Sequence, residues 1–180
     1  MGPGKANPLN ESTVDMVYRM AFLQVFSLWE VFLEESFCAF VMREPTRSGF
    51  CEAGLIVSAR TAEQARNAVL GGAPYVSWAN PPVAVAACKR VVTAGRHESV
   101  LTSAATDLES LAKIRHAVAH SSQHSKREFE SAAIALGGLP KQTRQVGGFL
   151  RATTVIGTKA EKWLTRLTKK LTNLAQQVAC

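Results

Sequence analysis

From Ser12 to Glu44 the chain runs without a single glycine or proline, and Pro45 is the first residue that stops a helix outright. Ser12, with Asp15 three residues later, resembles a capping box and sets the expected start. At about 100° per residue, Arg19, Gln24, Ser27, Glu30, Glu34 and Glu35 gather on one half of the wheel. Val17, Met20, Phe22, Leu28, Val31, Phe32 and Met42 help to fill the rest. An apolar face this wide requires several partner helices or a second copy of the chain. A helix this apolar must also be weighed as a membrane span. Its longest uncharged run, Met20 to Trp29, is ten residues, whereas a span needs about 20. Arg19, Glu30, Glu34 and Glu35 interrupt it further. The reading is a buried helix with no membrane partner. Met1 to Pro8 lacks the apolar stretch of a secretory leader, so the expected location is the cytoplasm.

Punctuation further along divides the chain. Residues 45–60, with Pro45, Gly49 and Gly54, read as a connection. Thr61 with Gln64 makes a capping box, and Gly71-Gly72 ends the short helix that follows. Residues 73–82 form an aromatic, proline-punctuated loop; Pro81-Pro82 then open a helix running to about Gly95. His97, between Arg96 and Glu98, reads as a surface residue. Thr106 with Glu109 opens a helix that ends near His120 or Ser121, and Ser125 with Glu128 signals the next, stopped by Gly137-Gly138. Strand-like alternation is confined to Gly54–Val57. A final helix is expected from Thr158, with Ala160, Leu164, Leu167, Leu171, Leu174 and Val178 in a heptad-like stripe. The expectation is an all-α helical bundle over residues 11–138. A flexible arm (1–10) precedes it, and a linker (139–157) leads to a basic amphipathic helix (158–180) that packs on or extends the bundle.

The net charge of +7 is unevenly placed. Residues 1–138 carry 13 basic and 13 acidic side chains; residues 139–180 carry 8 basic side chains and one acid, Glu161. This excludes a uniformly basic nucleic-acid coat and leaves a neutral body with a basic end. Lys162, Arg166, Lys169 and Lys170 lie off the apolar stripe. They form a solvated face of a docked helix, a contact for RNA phosphates, or a surface for an acidic partner. Cys38, Cys51, Cys88 and Cys180 show no C-x-x-C spacing and read as reduced thiols.

The segment most suggestive of chemistry is Arg115-His116-Ala117-Val118-Ala119-His120-Ser121, at the end of a helix. A guanidinium offers a planar fork to a phosphate as charge develops, and an imidazole moves protons near neutral pH. Arg115 and His120 stand about 7.5 Å apart along the axis and roughly 140° apart around it. Within one helix they do not converge on one atom, whereas two copies about a two-fold axis can share a cleft. A plainer reading has both residues capping carbonyls and pairing with acids such as Glu109. His116, His120 and His124 would line up as metal ligands only on a continuous helix. Ser121-Ser122 ends that helix, and no nearby cysteine or carboxylate completes a set, so neither a metal nor a cofactor is expected.

Arg115 through His120 resembles the R-x4-6-H motif of HEPN (higher eukaryotes and prokaryotes nucleotide-binding) domains. Trp29-Glu30-Val31-Phe32 is similar to the W-E-x-F signature in the first long helix of the RiboL-PSP and MAE-type HEPN subfamilies, and Tyr75 to Pro82 to their middle segment. The resemblance covers roughly residues 14–136. It implies a dimerising helical bundle, and in many members a metal-independent endoribonuclease acting in toxin–antitoxin or anti-phage defence. Under it, Arg115 polarises the scissile phosphate and His120 is the general acid/base for 2′-OH attack. His116 stands where many relatives carry Asn or Asp, and Glu30 orients the arginine. Ser121 and the basic tail residues Lys162, Arg166, Lys169 and Lys170 are the candidate RNA contacts. The implied partners are RNA, a second copy of the chain and an antitoxin protein. The alternative is a non-catalytic module of the same fold that binds nucleotides, RNA or protein.

Overall fold

A computed structural model describes residues 10–45, 49, 54–93, 95–139, 144–156 and 158–179. The expected N-terminal arm, apart from Asn10, lies outside the described residues, as do Cys51 and Cys180. The elements in order are α1 (Glu11–Val41), α2 (Ala62–Leu70), α3 (Pro81–Val91), α4 (Arg96–Ser103), α5 (Ala105–Ala119), α6 (Gln123–Ala135), α7 (Val146–Arg151), β1 (Thr153–Ile156), β2 (Lys159–Lys162) and α8 (Trp163–Ala179). Helix dominates, and a single two-stranded sheet accompanies it among the described residues.

The long helix forms, but it starts at Asn10 and not at Ser12. Asn10 Oδ1 accepts from the Thr13 backbone N–H at 2.8 Å and from its hydroxyl at 2.9 Å, which satisfies an otherwise orphaned donor of the first turn. Phe22, Phe26, Trp29, Leu33, Phe37, Phe40 and Val41 recur at three- and four-residue spacing and are buried. The wheel nevertheless sits differently from expectation. Met16, Val17, Met20, Leu28 and Val31 face solvent, while Arg19, Glu30 and Glu34 are half-buried. The reason is that each charge meets a partner from another element. Arg19 donates to the Val118 carbonyl at 2.8 Å, Glu30 faces Arg115, and Glu34 pairs with Arg66 at 2.9 Å. By length and composition α1 could cross a membrane; in this fold its aromatic row is core, shared with α7, α8, α2 and α5.

Local signals place α2 and α3 well. Thr61 caps α2 by accepting from the Gln64 N–H, and Gly71 closes it in the left-handed conformation at φ 57°. Pro81 and Pro82 occupy the first turn of α3. That helix ends at Val91, short of Gly95, because Val92 turns extended and bridges Leu55. The strand-like Gly54–Val57 reduces to that one bridge. Gly95 instead precedes α4, which buries His97, Val100 and Leu101. His97, expected at the surface, is 4% exposed, with its ring 4.2 Å from that of Phe37 and 5.2 Å from that of Phe40.

The expected linker is structured over its described part. α7 buries Phe149 and Leu150, and β1 pairs antiparallel with β2, Thr153 opposite Lys162 and Ile156 opposite Lys159. Four β-branched residues in a row, Thr153 to Ile156, favour this extended pairing. Consequently α8 begins at Trp163 and not at Thr158, and Ala160 is an exposed strand residue, not part of the apolar stripe. Trp163 donates its backbone N–H to Ala152 at 3.0 Å. Its ring stacks on Phe149 at 4.8 Å, and Phe149 meets Phe129 edge-on at 5.7 Å, so α6, α7 and α8 share one aromatic seam. Leu167, Leu171, Leu174 and Val178 continue the buried face as the spacing predicts. Gly147 is required where α7 crosses α1: a Cβ there would lie 2.5 Å from Asp15 Cβ and 2.7 Å from Asp15 O.

Candidate functional site

α5 and α6 fold back on each other across residues 120–122 as an antiparallel pair, tied by Lys113–Glu128 at 3.1 Å. The C-terminal end of α5 is fixed from two sides. Arg19 caps the Val118 carbonyl, and the buried Ser125 hydroxyl donates to the His120 carbonyl at 2.8 Å. Ser122, not Ser125, is the N-cap of α6, accepting from the Ser125 N–H at 3.1 Å. Burial of Ser125 at the helix junction explains the shift, since its hydroxyl is committed to holding α5.

These ties position the arginine and histidines. Arg115 is half-exposed, with one terminal nitrogen 4.0 Å from Glu30 Oε2 on α1. This is orientation without a closed bidentate pair, so donors of the guanidinium fork stay open to an anion. Its Nε is buried with no hydrogen-bond partner among the described residues. The arginine therefore pairs with Glu30 and not with Glu109. Burial pushes the Glu30 carboxyl above the usual carboxylate range, while the Arg115 charge and the Ala79 backbone N–H pull it back. His116 and His120 are both exposed, with ring centroids 4.5 Å apart.

Arg115 and His116 line an open cleft of about 500 Å3, whose other walls come from Ser77–Pro82 and the start of α6. The cleft also receives Lys113, His124 and Glu128. His120 caps α5 beside it, in contact with His116 but not among the cleft residues. Arg115 and His120 are thus not brought together on one wall, in keeping with their separation around the helix. His124 is the cleft residue that sequence reasoning weighed only as a metal ligand. The fold-back at 120–122 returns it to the face of α5 that carries Arg115. Among the described residues no group of three or more His, Cys, Asp or Glu side chains is arranged to hold a metal ion.

The basic C-terminal residues are largely engaged within the chain. Lys169 pairs with Glu161 at 2.5 Å, and Lys170 with Asp107 of α5. Arg166 lies over the Trp163 ring at 4.8 Å. Lys162 ends β2, exposed, beside a hollow that also holds Arg144, Arg151, Glu11 and Asp15, and Ser121 is exposed in the α5–α6 turn. The larger hollow of about 890 Å3 along α3 and α4 contains one ion pair, Lys89–Glu98 at 3.4 Å, amid hydroxyl and methyl groups. Cys38 is half-buried and Cys88 buried, and neither is in a disulfide.

No family model, curated protein or solved structure matches the chain.

Proposed function

We propose that the chain is a metal-independent endoribonuclease of the HEPN type, with Arg115 as its phosphate-binding centre. The observation that supports this most is Arg115 itself. It lies 4.0 Å from Glu30 of the longest helix while its fork remains open beside a cleft that also receives His116, whose ring meets that of His120 at a tilt. A phosphodiester on that fork is neutralised where negative charge builds on the non-bridging oxygens. His120, exposed and with its backbone fixed through Ser125, takes the proton of an attacking ribose 2′-OH. The products are a 2′,3′-cyclic phosphate and a free 5′-OH. His116 keeps the His120 ring in place through their contact.

A second copy of the chain belongs to this reading. Met16, Val17, Met20, Leu28 and Val31 leave an apolar stripe exposed on α1. The same helix caps α5 through Arg19, so a partner seated on the stripe brings a second α5 end towards the first. A role in toxin–antitoxin or anti-phage defence, with an antitoxin as partner, rests on the sequence resemblance. The test is cleavage of single-stranded RNA with EDTA present, comparing wild type with Arg115→Ala and His120→Ala. Loss in both variants supports the reading. Equal activity in all three overturns the site, and RNA binding without cleavage by wild type favours the non-catalytic module.

A further inference from the structure

We infer that His124 is the second proton carrier of this site, delivering the proton to the departing 5′-oxygen. The inference rests on the ribonuclease reading above and extends it to a residue outside the R-x4-6-H motif. In-line displacement at phosphorus places the attacking and leaving oxygens on opposite sides of the transferred group. One imidazole cannot serve both at once. The 2′-oxygen forms its bond to phosphorus and loses a proton to His120, while the bond from phosphorus to the 5′-oxygen breaks and that oxygen needs a proton. A protonated imidazole supplies it and becomes neutral; His120 has become protonated, and exchange with water resets both.

The fold provides the second imidazole in the same chain. His124, on the first turn of α6, is exposed and lines the cleft with Arg115 and His116, across the α5–α6 junction from His120. The hydrogen bond from Ser125 to the His120 carbonyl and the Ser122 cap hold that turn against α5. The charged and titratable groups around His124 in the cleft are Glu109, Lys113, Arg115, His116 and Glu128. Lys113 and Glu128 neutralise each other at 3.1 Å, which leaves Arg115, His116 and His124 to meet the phosphate, with the Glu109 carboxylate as the remaining anion of the cleft.

Two substrates separate this role from a structural one. RNA has a poor alkoxide leaving group that requires an acid, whereas a uridine 3′-(4-nitrophenyl) phosphate releases a stable phenolate that does not. His124→Gln is expected to slow RNA cleavage about 100-fold or more, and to leave nitrophenyl ester cleavage within about threefold of wild type. His120→Ala is expected to slow both. An equal loss on both substrates, or no loss on either, overturns the assignment to His124 while leaving the ribonuclease reading intact. A wild type inert on RNA overturns that reading and this assignment with it.

Discussion

Acidification should destabilise this fold through His97. The side chain is 4% exposed, enclosed by Phe37 and Phe40, and its Nε2 shares a hydrogen bond with the Ser36 hydroxyl at 3.1 Å. Nδ1 has no hydrogen-bond partner among the described residues, so a second ring proton there meets no acceptor. Burial, reinforced by the neighbouring Arg96 charge, lowers its pKa from 6.5 to about 4. Above pH 6.5 the ring is neutral in folded and unfolded chains, and its contribution to stability is fully present. Between 6.5 and about 4 the unfolded chain binds a proton that the folded chain refuses, so stability falls as pH falls; below about 4 the loss is complete. The gap corresponds to about 3 kcal/mol, a large part of the 5–15 kcal/mol typical of a domain. Urea unfolding of wild type and His97→Gln at a series of pH values isolates this share from that of the carboxylates. Wild type should lose about 3 kcal/mol more than the variant between neutral pH and pH 4. Parallel pH dependences for the two proteins would rule out this role for His97.

Other substitutions probe the packing and the site. Gly147→Ala forces a methyl against the Asp15 backbone and should destabilise by about 1–3 kcal/mol in thermal unfolding; an unchanged midpoint would contradict the α1–α7 crossing. Trp163→Ala should cost about 3–5 kcal/mol because it empties the seam with Phe149. For the same reason, removing residues 158–179 should yield an unfolded chain by circular dichroism, and not a folded one with weaker RNA binding. Glu30→Gln removes a partly exposed ion pair worth about 0.2–1 kcal/mol. It should slow RNA cleavage about two- to fivefold with stability little changed, as kinetics and melting together will show.

What the sequence made legible follows the reach of its signals. Caps and stops are local, so the Thr61–Gln64 box, Gly71 and Pro81-Pro82 lie where they were expected. The α8 stripe from Leu167 to Val178 was legible because its period matches its burial. The β1–β2 hairpin was hidden because Lys159–Lys162 holds a single apolar residue, Ala160, too little for a sustained alternation, so β1 had no recognisable partner. α4 was hidden because it has 8 residues and Gly95 supplies no side-chain cap. The face that α1 buries was misjudged for a different reason. Hydropathy cannot register that Arg19, Glu30 and Glu34 have partners at Val118, Arg115 and Arg66. At the candidate site, Arg115, His116 and His120 were legible as residue types near one helix end, and Glu30 only through the resemblance. His124 was not, because its place in the cleft depends on the chain reversing at residues 120–122.

The expected role of the basic tail changes accordingly. Lys169 and Lys170 are bound to Glu161 and Asp107, and α8 contributes five buried residues to the core. Lys170 therefore helps dock a structural helix onto α5, and under the proposed function Arg115 is the cation that meets the phosphate.

The most direct measurement is cleavage, in EDTA, of a ribo-oligonucleotide and its all-2′-deoxy counterpart by wild type and Arg115→Ala, with the new ends identified by mass. Under the proposed function wild type cuts only the ribo-oligonucleotide, leaving 2′,3′-cyclic phosphate and 5′-OH ends, and Arg115→Ala leaves both intact. Cutting of the deoxy strand, or undiminished cutting by Arg115→Ala, would contradict it.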